Sequence, residues 1–485
     1  MDLNQISAET LDEIKKATTA GVNISTGLQG VDLSDVVSLI PVNTPFYNQL
    51  PKTSPEQGAR FAQWRALTNV NNTQPDPGTP YDYAAPLVNI SEIDVAAAYG
   101  KIGTGYTVTK DAINRAKGYA DAKAIALFNC LNQYKIAADK KLLGGQSFAL
   151  AAPTGVTVVP STTGGSIPAS TQVQVQVAAR TLSNYNYGGS GAATAIVSAT
   201  TSNAGGTNSA VATVTAVRGA VAYDWFVGGF YLTTTTVNKV TITTIPTANQ
   251  PVPLLPGIYA VAPAAVPTVD GSAKPNDFNG LLASLAGDYA LPGSYGQVTA
   301  GQGVPSGATF QSLDGAGFTI NGANVAELDR LNAAIYASVQ LSPTAYMMSS
   351  QTASELSGGL LTSAAGAVTM FAPNEAAQRT DVVAGGNVSW YINKSTGGTP
   401  IEIEIHPNLA PGILIARTDT VPFPNSNITN TLEQRDEAPV SDYEYGVSRV
   451  QGVAGGGPRF DGETSSSTTL VNRAPVAMGV ISNIG

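Results

Sequence analysis

The chain has 485 residues, room for two to four domains at about 100 to 200 residues each, which argues against a single core. Hydrophobic residues make up 43% and charged ones only 12%, which excludes a disordered chain, while 50 Gly and 30 Pro point to many turns and much β or irregular structure. With 25 Lys and Arg against 34 Asp and Glu the net charge is −9, a sign that repels phosphate backbones and leaves room only for weak or local contact with nucleic acid.

At the N-terminus, "MDLNQISAETLDEIKK" is acidic and lacks the apolar core of a signal peptide. No stretch approaches the roughly 18 continuous apolar residues of a membrane span. The expectation is a protein made and used without export, with no membrane partner. Residues 5–17 carry an amphipathic helix pattern with Ile6, Leu11 and Ile14 on one side, and a Gly- and polar-rich arm follows to about residue 34. In "VVSLIPVNTPFYNQLP" the prolines 41, 45 and 51 predict extended chain rather than helix.

Two strand-like runs, "ARFAQWRALTNV" and "LVNISEIDVAAAYGKI", flank "NNTQPDPGTPYDYAAP", whose four prolines and one glycine suit a long irregular tip. Two strands with a long tip cannot bury a core by themselves, so such an arm must find apolar contacts elsewhere, a neighbouring subunit being the natural candidate. Phe46, Phe61, Trp64, Tyr81, Tyr83 and Tyr99 fall in this region and are the candidates for self-association. Local packing is the competing reading of the same cluster.

From Asp111 to Leu143 apolar residues recur at spacings of three and four, predicting one rod of roughly 45 Å with Thr109 or Asp111 as its cap and Gly144–Gly145 as its stop. Residues 151–270 then hold only five charges, Arg180, Arg218, Asp224, Lys239 and Asp270, which marks a separate domain. Short runs such as "TQVQVQVAA", "ATAIVSAT", "AVATVTAV", "YDWFVGG" and "VNKVTITTI" recur with Gly, Ser and Asn between them. In "QVQVQV" Val173, Val175 and Val177 share one face, the half-buried pattern of an antiparallel sheet. Six or seven such strands predict a β-sandwich of immunoglobulin type with Tyr223, Trp225 and Val227 in its core. "PVPLLPGIYAVAPAAVPTVDG" is read as a Pro-rich return linker. Beyond it, "NVAELDRLNAAIYASVQ" and "TASELSGGLLTS" predict helices, "TAYMMSS" and "GILIART" buried strands, and "NVSWYIN" with "TPIEIEIHP" a hairpin through "KSTGG". "DYEYGVSRVQGVAG" and "RAPVAMGVISNI" add strands around a flexible "GETSSSTT". The host is α+β.

Catalytic signals are weak. His406, the sole histidine, sits at a strand end before a proline, an ordinary structural place, and no G-x-S-x-G elbow supplies a nucleophile. Neither a P-loop nor a G-x-G-x-x-G cradle occurs. Glu402 and Glu404 share a strand face, more simply a solvated face than a paired-carboxylate site. Cys130, the sole cysteine, excludes an internal disulfide and reads as a small core residue. No calcium-loop or zinc spacing is present. The expectation is a building block, with no catalytic residues, no metal and no cofactor.

The order of parts resembles the major capsid proteins of tailed bacteriophages, the Hong Kong 97 type of shell fold. The resemblance rests on "DVVSLIPVNTPFYNQLPKTSPEQGARFAQWRAL" as arm and extended loop, "YGKIGTGYTVTKDAINRAKGYADAKAIALFNCLNQYKIAADKKLLGG" as return strand and spine helix, and "NRAPVAMGVISNI" as the final strand. It implies an N-terminal arm at 1–50, an E-loop at 51–107, a P-domain at 108–150 and 426–485, and an A-domain at 269–425. The insertion at 151–268 resembles the outward-displayed immunoglobulin-like domains of some phage capsid proteins. Implied partners are other copies in pentamers and hexamers, together with scaffold, portal and decoration proteins, and weak non-specific contact with packaged double-stranded DNA. The implied place is the virion, assembled in the host cytoplasm. Some relatives weld subunits through a lysine in the E-loop tip. Residues 68–87 here contain none, so a noncovalent shell is expected. The alternatives are a carbohydrate-binding adhesin or tail component and an encapsulin-like protein compartment.

Overall fold

A computed structural model describes residues 42–54, 61–67, 76, 78–85, 92–116, 121–202, 205–259, 261–286, 308–363, 388–423, 426, 428–449 and 458–485. The helix expected at 5–17 and its following arm lie outside these residues. The first element corrects the extended reading: α1 (Pro45–Gln49) is a short helix, because Pro45 occupies its first turn, where the missing N–H is no loss. It ends at Leu50, just before Pro51. Phe46, Tyr47 and Leu50 enter the main core, and the Tyr47 N–H donates to Asp139 Oδ1 at 2.9 Å.

β1 (Lys52–Thr53) pairs in parallel with residues 434–435. β2 (Phe61–Leu67) and β3 (Glu92–Ala98) form the expected antiparallel arm, with Phe61 opposite Ala98 and Trp64 opposite Val95. The arm is not bare at its base, where Ala62, Ala97, Trp64 and Tyr99 pack around Val471.

After β4 (Gly100–Thr109) the expected rod is two helices, α2 (Lys110–Ala116) and α3 (Ala122–Gly144). Asp121, rather than Asp111, caps the longer one, accepting from the N–H groups of Lys123 and Ala124. At 23 residues α3 spans about 35 Å. Gly144 and Gly145 do more than stop it. A Cβ on Gly144 would stand 2.6 Å from Leu182 Cγ, and one on Gly145 would run into the Phe278 carbonyl oxygen. The double glycine is where the insertion and the returning chain press against the helix end.

The insertion contains β5 (Thr157–Ser161), β6 (Gln172–Arg180), the short helix α4 (Leu182–Tyr187), β7 (Val197–Thr200), β8 (Ser209–Thr213), β9 (Ala222–Val227), β10 (Phe230–Thr235) and β11 (Lys239–Ile242). Two sheets, β10-β9-β6-β7 and β11-β8-β5, share a core of Val173, Val175, Val177, Ala210, Ala212, Trp225 and Ile242. The sandwich is therefore present. Its order is not that of an immunoglobulin constant domain, which pairs its first, second, fifth and fourth strands on one sheet. Here the second and fifth strands do pair, but the fourth lies in the opposite sheet.

The segment read as a linker is a third layer. Val252, Ala262 and Val266 cover Ala178, Phe226 and Tyr231 on the outer face of the larger sheet. Nor is the insertion a detached outgrowth. Leu182, Tyr185, Val221 and Ala222 belong to the same core as Leu142, Leu143 and Phe278 of the host. Arg218 donates to the carbonyls of Leu285 and Ala308 and stacks over Phe310 at 4.6 Å. Asn43–Gly485 accordingly hold together as one compact unit.

The rest of the chain supplies α5 (Leu281–Ala286), β12 (Thr309–Ser312), the paired β13 (Ile320–Asn321) and β14 (Asn324–Val325), α6 (Ala326–Val339), β15 (Ala345–Met348), α7 (Ser350–Ser363), β16 (Trp390–Asn393), β17 (Thr399–Ile405), β18 (Leu414–Arg417), β19 (Leu432–Arg449), β20 (Pro458–Asn472) and β21 (Gly479–Ser482). A six-stranded mixed sheet runs β12-β21-β18-β15-β17-β16. The "KSTGG" hairpin joins β16 to β17 as expected, with Gly397 at φ 81 and Gly398 at φ 110 making the turn. β19 and β20 form a long antiparallel ribbon, β19 alone spanning about 60 Å, and β4 completes that sheet on the β20 side.

One expectation fails here. "GETSSSTT" is not flexible but lies within β20, between β19 and β4, where Thr464, Ser466 and Thr468 are buried in alternation. The closing strand β21, within the stretch 426–485 for which the resemblance implies a P-domain, joins the six-stranded sheet and not the β19–β20 ribbon.

Candidate assembly surfaces

The polar groups that sequence singles out for chemistry are spent on structure. His406 is buried where β17 ends, its Nδ1 accepting from the Asn408 N–H at 3.1 Å and its Nε2 lying 3.3 Å from Asp139 Oδ2. Asp139 is fully buried and also accepts from the Tyr47 N–H and from Asn408 Nδ2 at 2.6 Å. One carboxylate on α3 thus ties together α1, the turn after β17 and the histidine.

Glu404 and Glu402 do not act as a pair. Glu404 receives two bonds from Arg417, at 3.0 and 3.1 Å, while Arg417 also holds Asp419 and Gln49. A recess of about 330 Å³ beside α1, lined by Phe46, Leu50, Arg417, Asp419 and Leu432 among others, therefore has its charges already matched. Cys130 is buried and donates to the Thr104 carbonyl at 3.1 Å. Within the sandwich, Arg180 and Asp224 form a fully buried pair at 2.7 Å. Burial raises the Asp224 carboxyl above its ordinary range, against the pull of Arg180. Burial pushes the Tyr231 hydroxyl, bonded to Thr234 beside this pair, up to about 12. Among the described residues no group of three His, Cys, Asp or Glu side chains could hold a metal ion, and no helix is long and apolar enough to cross a membrane.

The six self-association candidates divide. Phe46 must be withdrawn, since its ring is 1% exposed inside the main core. Trp64 and Tyr99 pack at the base of the arm around Val471. Burial raises the Tyr99 hydroxyl above its ordinary range. Phe61 is exposed, and Tyr81 and Tyr83 stand at 105% and 74% exposure at the arm's tip.

Sequence reasoning missed a second aromatic surface. Tyr443 and Tyr445 on β19 are 61% and 57% exposed and form an edge-to-face pair at 5.1 Å. Their i, i+2 spacing in "DYEYG" was the available signal, since such residues share a strand face. Nearby charges are paired along the same ribbon, Lys101 with Glu463 at 2.9 Å and Lys123 with Glu444 at 2.7 Å. A third exposed apolar patch, Trp390 and Ile392, lies on the edge strand β16, alternating with buried Tyr391 and Asn393.

No family model matches the chain, and no curated protein does. Among solved structures it is similar to the cyanophage A-1(L) capsid, with 10% identity over 95% of this chain and 98% of that one and a TM-score of 0.46. It is similar also to the capsid of Myoviridae phage XM1, at 8% identity, 96% and 99% coverage and a TM-score of 0.41. The holo-SrpI encapsulin complex from Synechococcus elongatus PCC 7942 matches at 9% identity, 94% and 96% coverage and a TM-score of 0.39. These are distant likenesses running along almost the whole chain.

Proposed function

We infer that the protein is a structural subunit that assembles with copies of itself, as pentamers and hexamers, into the icosahedral shell enclosing the double-stranded DNA genome of a tailed phage. One observation carries this reading: two long elements, the β2–β3 arm and the β19–β20 ribbon, present tyrosines that their own chain leaves exposed. Aromatic side chains on projecting strands profit most from an interface, and a symmetric shell repeats many modest contacts. The succession of arm, extended hairpin, spine helix and mixed sheet agrees with the resemblance seen in the sequence. In this reading the sandwich faces outward, while α4, packed against the end of α3, belongs to the shell wall. The role is structural rather than catalytic, the place is the virion after assembly in the host cytoplasm, and scaffold, portal and decoration proteins are the further partners.

The adhesin reading loses ground because the sandwich shares its core with the host and is not a detachable binding module. An enzyme-holding compartment would differ by cargo, nuclease-protected DNA against protein. The test is expression of the full chain, alone and with a scaffold, followed by negative-stain microscopy. Closed particles or capsomers are expected, and a strictly monomeric product at high concentration overturns the reading. Boiled, denatured particles are expected to run as monomer on a gel, because residues 68–87 offer no lysine for a weld.

A further inference from the structure

At the junction of α3, α4 and the returning chain, three ammonium groups converge on one ring. The Nζ atoms of Lys141, Lys274 and Lys140 lie 5.0, 5.5 and 5.8 Å from the centre of the Tyr187 ring. Each is within the roughly 6 Å at which a cation feels the ring's negative face. Lys141 is neutralised by Asp277. Lys140 and Lys274 make no ion pair among the described residues, although both side chains are half-buried; the nearest attraction each feels is from a carboxylate already engaged elsewhere, Asp139 with Tyr47 and Asn408 and Asp277 with Lys141.

Residual attraction to the C-terminal end of α3 accounts for Lys141, which sits in its last turn, and for Lys140 one residue before it. It does not account for Lys274, which arrives from a different segment, 134 positions along the chain from Lys140. In a chain of net charge −9, a half-buried concentration of positive charge calls for an anion. Compact ammonium groups without a guanidinium fork suit phosphate, which binds lysine as a point charge.

We propose that Lys140 and Lys274, with Lys141 and the Tyr187 ring, form a phosphate-binding site whose occupant is a phosphate of a nucleic-acid backbone. The nucleic-acid source rests on the shell reading; the anion site does not. Burial depresses both free amines, and the charge of Lys141 further depresses that of Lys274, so a bound phosphate would restore their proton affinity.

The test uses the full chain and the variant Lys140→Gln/Lys274→Gln, with Lys110→Gln as an exposed control on α2. A 20-base-pair duplex is titrated by fluorescence anisotropy over a series of NaCl concentrations, and pyrophosphate is titrated by thermal shift at matched ionic strength. The expected result is that the double variant lowers the slope of log affinity against log salt by about 2, and loses the stabilisation by pyrophosphate, while the control keeps both. Loss of both signals assigns the site to nucleic-acid phosphate, and loss of the pyrophosphate signal alone assigns it to free phosphate. A folded double variant that retains both signals overturns the site. Particle formation is scored on the same preparations, so intact particles without anion binding count against the site alone, and anion binding without particles counts against the shell alone.

Discussion

His406 illustrates how a residue that invites a catalytic reading is explained by its neighbours. Its partner Asp139 is buried under three separate donors or near-donors, so the pair acts as a knot between segments far apart in sequence. Replacing Asp139 by Ala is expected to cost about 3 kcal/mol, because the bonds to Tyr47 and Asn408 lose a charged acceptor together. Glu402→Gln, at an exposed strand position, is expected to stay within about 0.5 kcal/mol. Denaturant midpoints of the two variants separate a structural carboxylate from a solvated one. Gly144→Ala carries a different kind of cost. The added methyl group meets Leu182, so a loss of about 1–3 kcal/mol is expected, visible as a lower melting temperature. Neither effect was legible in sequence. The chain shows that Gly144 and His406 are suited to a stop and a turn, but not which distant side chain presses on them.

At the scale of elements, alternation proved the most readable signal. Val173, Val175 and Val177 are all fully buried on one face of β6, and "IEIEI" forms β17 opposite β16. Reading by composition failed where context overrides it. The Ser- and Thr-rich run in β20 looks loose, yet a strand with a partner on each side satisfies its backbone and can bury small hydroxyls, as in the Tyr134–Ser466 bond of 2.5 Å. The prolines around α1 mark a helix start as well as they mark extended chain. Strand order in the sandwich was invisible because local periodicity says which face is buried, not which neighbour covers it. Sharing of the core with the host was invisible for the same reason. Its consequence is that deletion of residues 151–268 is expected to yield insoluble protein, since Leu142, Leu143 and Phe278 would lose Leu182, Tyr185, Val221 and Ala222 as partners. Soluble fraction and gel filtration of the deletion chain check this. A soluble, folded product would show that the insertion is separable after all.

For the whole molecule, the decisive distinction is between residues that stabilise one copy and residues that join copies. Tyr81, Tyr83, Tyr443 and Tyr445 make few demands on their own chain, so the double changes Tyr81→Ser/Tyr83→Ser and Tyr443→Ser/Tyr445→Ser are expected to leave the monomer's melting temperature within a few degrees. Particle yield should fall at least tenfold in each, since an interfacial aromatic is commonly worth more than about 1 kcal/mol and a shell multiplies that loss over every repeat. Size-exclusion profiles and particle counts read the two effects separately. Order of synthesis sets a further condition. β21 is the bridge between β12, its parallel neighbour some 170 positions earlier, and β18, so until residues 479–482 leave the ribosome the six-stranded sheet exists as two unjoined pieces. A chain interrupted before that stretch would leave β12 cut off from the four-stranded remainder, so closure of this seam decides which copies are fit to be built into anything larger.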